Sequence, residues 1–183
     1  ELEKEMDAFA QSTGNGGLTL SIRRGDKEAL KKALGIVASS ASDPIERLEL
    51  AKLLGEVNDP VVVPVLLRLL ALDQESALKR VALQSLAHYD DPSIPSTILA
   101  RHGSTLPAEH EVRSTAHRVL AGREEWAKLF LEKVGLAHIK ARYVSPDVVQ
   151  LLAQHEEAEI DAAIREYWPR SVAATSEVNQ VAI

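Results

Sequence analysis

The placement of eight prolines constrains this chain more than any other feature. Pro44, Pro60, Pro64, Pro92, Pro95, Pro107, Pro146 and Pro169 all avoid the middle of a helical pattern. Asp43-Pro44, Asp59-Pro60, Asp91-Pro92 and Ser145-Pro146 each set a good N-cap before a proline. At such a pair the side-chain oxygen accepts an orphan N–H, and proline's missing donor costs nothing at the first helical position. Pro64 and Pro95 fall later in the first turn, where they tighten or bend it. The recurring "EVNDPVVVPVLL" (56–67) and "HYDDPSIPSTIL" (88–99) are therefore helix-to-helix corners.

Between corners the apolar period is helical. Leu78, Val81, Ala82, Ser85, Leu86 and Tyr89 form one stripe. Val112, Thr115, Ala116, Val119 and Leu120 form a second, and Ile160, Ala163, Ile164, Tyr167 and Trp168 a third. Residues 61–72 are apolar nearly all round, which predicts a helix covered on both sides. "IERLELAKLLGEVNDP", "LKRVALQSLAHYDDP" and "VRSTAHRVLAGREEW" share one pattern, and the Asp-Pro corners at 59 and 91 lie about 32 residues apart, a period typical of α-solenoids. The predicted fold is all-α, an α-solenoid of stacked antiparallel helix pairs of the HEAT or armadillo type, with residues 1–183 forming one domain. Helices are predicted at 1–11, 26–39, 44–56, 60–72, 75–89, 92–102, 107–121, 124–134, 146–154 and 157–168. A flexible loop, "STGNGG" (12–17), follows the first helix, and 170–183 form a partly ordered exit. The opening Glu1 in place of Met reads as a piece of a longer protein.

Composition narrows the function classes. Hydrophobic residues make up 45% of the chain but aromatics only 4%, so Leu, Ala and Val carry the burial, as in closely packed helices. A net charge of −6 argues against nucleic acid as a partner. The basic stretch 23–32 reads as a solvated helix face. With no cysteine, disulfides, thiolate catalysis, Cys-ligated zinc and covalent haem attachment are excluded within these residues. The longest apolar run, 61–72, is broken by Arg68 and falls short of the ~20 residues that span a bilayer, so no membrane insertion is expected.

No arrangement amounts to an active site, so no catalytic, cofactor-binding or metal residue and no cofactor is assigned. His110-Glu111 and His155-Glu156 carry ligand types suited to iron or zinc. Their 45-residue separation does not match the repeat, however, and both pairs read as surface helix starts. His117 falls beside an apolar stripe and reads as a packing residue, while His88, His102 and His138 read as helix C-terminal caps. "TGNGG" (13–17) lacks the lysine and strand of a phosphate loop. Ser39-Ser40 has no catalytic partner at a useful spacing. Trp126 and Trp168 read as packed anchors. Glu156, Glu157, Glu159 and Asp161 complement the dipole of the last helix.

The run "RVALQSLAHYDDPSIPSTILARHGSTLPAEHEVRSTAHRVLAGREEWAKLFLEKV" resembles a HEAT-repeat segment through its x-R-x-x-A-x-x-x-L helix and DP-x-x-P-x-x-L corner. With "VSPDVVQLLAQHEEAEIDAAIREYW" (144–168) and "RSVAATSEVNQVAI" (170–183), residues 44–183 are similar to a region of large exported planctomycete and verrucomicrobial proteins. In those proteins a dehydrogenase-like β-propeller precedes the HEAT repeats and a C-terminal c-type haem domain follows them. The family's Cys-x-x-Cys-His haem motif has no counterpart here, so no functional residue carries over. The resemblance implies a non-catalytic scaffold, a spacer or docking segment between redox modules outside the cytoplasm, whose partners are proteins: adjacent domains or another chain. The competing reading is a HEAT-repeat metal protein or enzyme built on the His-Glu pairs.

Overall fold

The computed structural model describes residues 15–72, 75–107 and 111–169. Among them are ten α-helices and no strand, as the periodicity predicts. They are α1 (Asn15–Arg23), α2 (Lys27–Ala38), α3 (Pro44–Leu54), α4 (Val62–Leu72) and α5 (Ser76–Leu86), then α6 (Ser93–Arg101), α7 (Val112–Ala121), α8 (Glu124–Gly135), α9 (Pro146–Ala153) and α10 (Ala158–Tyr167). A 3-10 turn, Ala141–Tyr143, lies between α8 and α9. No helix among the described residues is long and apolar enough to cross a membrane. Contacts gather the chain into two compact units, Glu1–Asp91 and Pro92–Ile183.

In the first unit α1 packs on α2 and α3, α2 on α3 and α4, and α5 on both α3 and α4. Asp43 caps α3 as predicted, its carboxylate accepting from the Glu46 N–H at 2.9 Å with Pro44 at the first helical position. Asp26 caps α2 in the same way, accepting from the Glu28 and Ala29 N–H groups. Buried Arg47 reaches from α3 to the last turn of α2, where its Nε donates to the Val37 carbonyl at 3.2 Å. Ser85 on α5 donates to the Ala51 carbonyl of α3 at 2.8 Å, 34 residues back. Tyr89, just beyond α5, sets its hydroxyl against the carbonyls of Leu54 and Val57. Burial, reinforced by the nearby Asp59 carboxylate, pushes that phenol up to about 12.

In the second unit α6 packs on α8, α7 on α8 and α9, and α10 on α8 and α9. Val112, Thr115, Ala116, Val119 and Leu120 are all buried, the predicted stripe of α7. His155, beyond α9, brings Nε2 to 2.7 Å from the Ala121 carbonyl, again 34 residues back. The Trp168 indole N–H donates to the Ala141 carbonyl at 3.0 Å, and Trp126 is buried under the Arg123 guanidinium. Trp126 is a packed anchor, as expected, whereas Trp168 is only half-buried.

Several boundaries move. Helix α1 starts inside the stretch read as a flexible loop, because Ile22 is buried against α2 and α3 and this outweighs the poor helix propensity of Gly16 and Gly17. The expected helix at 1–11 and the exit at 170–183 lie outside the described residues. Asp59 does not cap α4 directly: its carboxylate accepts from Val61 N–H and its carbonyl from Val62 N–H, so a turn precedes the helix. Pro92, rather than Asp91, takes the N-cap position of α6. Helix α7 begins at Val112, after Glu111 in a left-handed conformation with φ 61°, and not at Pro107. The two-sided burial expected of 61–72 is corrected too. Val62, Val63, Leu66, Leu69 and Leu70 bury one face, while Val61 and Leu72 are 51% and 71% exposed on another.

Candidate functional site

Two histidines expected to act separately meet in the second unit. His102 is the C-cap residue of α6, and His117 sits mid-way along α7, 1% exposed. Their Nε2 atoms are 2.7 Å apart. The ring centroids are 5.0 Å apart with planes 13° from parallel. A close nitrogen pair with centroids so much farther apart sets the rings nearly end to end, joined by one in-plane N–H···N bond. The far side of His117 rests on Phe130 of α8, its centroid 5.2 Å away.

Burial fixes the direction of that bond. Nδ1 of His117 is buried without a hydrogen-bond partner among the described residues. An orphaned buried N–H costs about 1–3 kcal/mol, and a bare acceptor is the better tolerated orphan. His117 therefore carries its proton on Nε2 and donates to His102. Accepting on Nε2, His102 must carry its own proton on Nδ1. Both rings are held neutral. Burial, with Arg113 adding, lowers His102 to about 4. Burial, then His102, Arg113 and Arg118, lowers His117 to about 3.

His102 also lines an open cleft of about 580 Å³. Leu99 of α6, Leu129 of α8 and Ile139 form its apolar wall, and Lys133, His138 and Ser96 stand with His102 as its polar side chains, the Ser96 hydroxyl donating to the Pro92 carbonyl at 3.1 Å. The turn after α8 builds this wall. Ala137 takes a left-handed φ of 58°, its N–H donating to the Val134 carbonyl, and the Ile139 N–H returns to the Lys133 carbonyl at 3.1 Å. That reversal carries His138 and Ile139 back over Lys133. His138 thus belongs to a loop and does not cap a helix end as expected; His88 likewise lies exposed two residues past α5.

The other candidates find ordinary surroundings. His110 lies outside the described residues, and His155 is engaged with the Ala121 carbonyl. No group of three or more metal-ligating side chains gathers among the described residues. Glu157 caps α10, accepting from the Glu159 N–H at 2.8 Å, and this bond holds its carboxyl below the usual range. Lys128 reaches Glu124 at 2.9 Å, Glu157 at 3.7 Å and Glu159 at 4.0 Å. Ser39 Oγ accepts from the Ala41 N–H. Arg23, Arg24, Lys27, Lys31 and Lys32 are all exposed, the solvated face expected, with Arg23 paired to Glu56 at 2.9 Å.

Compared with known protein families, curated proteins and solved structures, the chain matches none.

Proposed function

We propose that this chain is a non-catalytic helical-repeat module: an α-solenoid of HEAT-type helix pairs that serves as a protein-docking scaffold or spacer within a larger exported redox protein. One observation carries the repeat reading. In each unit a helix packs on the next but one, and a side chain bonds a backbone carbonyl 34 residues back, Ser85 to Ala51 and His155 to Ala121. Stacked hairpins need contacts at this spacing, since each repeat buries its stripe only against its neighbour. The redox setting, the extracytoplasmic location and the protein partners rest on the resemblance of residues 44–183 to the HEAT region between a β-propeller and a c-type haem domain.

The test uses the full-length parent, expressed with export and haem-attachment machinery, beside this chain. A c-type haem spectrum in the parent and none in the chain supports a spacer in a redox assembly. Replacing the chain by a flexible linker of equal length should then slow reduction of the haem. A colourless parent, or an unchanged rate, overturns the spacer role.

A further inference from the structure

The cleft beside His102 combines one cation, two imidazoles, the Ser96 hydroxyl and an apolar wall, and none of the described residues that line it is acidic. Its volume, about 580 Å³, falls in the range of small-molecule sites. We propose that it binds a small monocarboxylic acid with a short apolar tail, the carboxylate meeting Lys133, His138 and the Nδ1–H of His102, the tail lying on Leu99, Leu129 and Ile139.

Three features select this ligand class. The buried His117 donates its Nε2–H hydrogen bond to His102 Nε2, so the other ring nitrogen of His102 is a donor and not an acceptor. A neutral His102 adds a hydrogen bond without a second full charge, which suits a monoanion better than a phosphate dianion. The ammonium of Lys133 is 2.9 Å from the Glu132 carboxylate, a partly exposed pair of the kind worth little, and a ligand carboxylate can replace it. His117 here is a positioning residue: it touches no ligand and acts by fixing the tautomer of His102. The site lies within the second unit and needs no neighbouring module, so it stands or falls apart from the scaffold reading.

Calorimetric titration of the purified chain at pH 7 with phenylacetate, and with its neutral isostere phenylacetamide, tests the proposal. Saturable phenylacetate binding is expected, about tenfold or more weaker for the amide and for Lys133→Met. Lys133 is a surface side chain, so that variant keeps its fold. His117→Phe preserves the ring against Phe130 but frees the tautomer. It should weaken phenylacetate binding and shift the His102 side-chain ¹⁵N resonances toward a tautomer mixture, a change that loss of packing alone does not produce. No saturation up to about 20 mM phenylacetate, equal binding of acid and amide, or undiminished binding by Lys133→Met overturns the site.

Discussion

Gly55 and Ser85 touch so closely that a Cβ on the glycine would stand 2.9 Å from the Cα of the serine. Gly55 is the C-cap of α3 with φ −70°, an ordinary right-handed conformation. The glycine is needed for space, not for backbone freedom. Gly55→Ala should therefore destabilise the chain by about 1–3 kcal/mol, since the obstructing atom is backbone and cannot swing aside. Gly135 makes the contrast: a Cβ there meets the Tyr167 hydroxyl at 2.6 Å and its Cζ at 3.4 Å, the far end of a side chain that can move. Gly135→Ala should cost well under half as much, and urea unfolding of the two variants decides the order.

Tyr89 ties the segment after α5 to the end of α3 through its hydroxyl. Tyr89→Phe should cost about 1 kcal/mol at neutral pH. The folded phenol is raised to about 12 against an ordinary value of 10.0. Stability from this group is fully present below pH 10 and is lost as pH rises toward 12. In a spectrophotometric titration Tyr143, lowered by its hydrogen bond from Arg142, should ionise before Tyr89.

The histidine pair has the opposite sign. Both rings are lowered from 6.5, to about 4 and about 3, so the unfolded chain takes up protons first as pH falls. Stability is fully present above pH 6.5 and declines on acidification toward pH 4. Each ring contributes at most about 1.4 kcal/mol per pH unit. Thermal unfolding of wild type from pH 7 to pH 4.5 should show this slope, and His117→Phe should flatten it. An identical slope in the variant would mean that the pair is not the source.

Ala137 occupies a left-handed position where glycine is usual after a helix. Ala137→Gly removes a steric penalty of about 1–2 kcal/mol, offset in part by the entropy of the unfolded glycine. A net gain in stability is expected on chemical denaturation, with the turn that carries His138 and Ile139 unchanged in its NMR shifts.

Periodicity and proline placement make most of the helices legible in the sequence alone. The α7 stripe and the Asp43-Pro44 cap follow from local rules alone. What failed locally failed for tertiary reasons. Gly16 and Gly17 announce a loop, yet the burial of Ile22 carries a helix through that region. The composition of 61–72 announces a helix buried all round, while only one of its faces meets neighbours. His102 and His117 lie 15 residues apart on different helices, and no helical spacing links them. The one local signal was a polar ring beside the α7 stripe, since a buried imidazole needs a partner somewhere. The cleft was not legible, because its wall depends on the reversal at Ala137.

The bonds from Ser85 to Ala51 and from His155 to Ala121 both close over 34 residues, which makes residue number a gauge that the fold can read. One residue inserted in α5 ahead of Ser85 would turn the serine by roughly 100° relative to Leu78 and Ala82, carrying its hydroxyl and Tyr89 away from α3 together. The same residue added to the corner at 56–61 leaves that helix face in register. Changes of length are therefore tolerable at the corners and damaging between them, whatever residue is added.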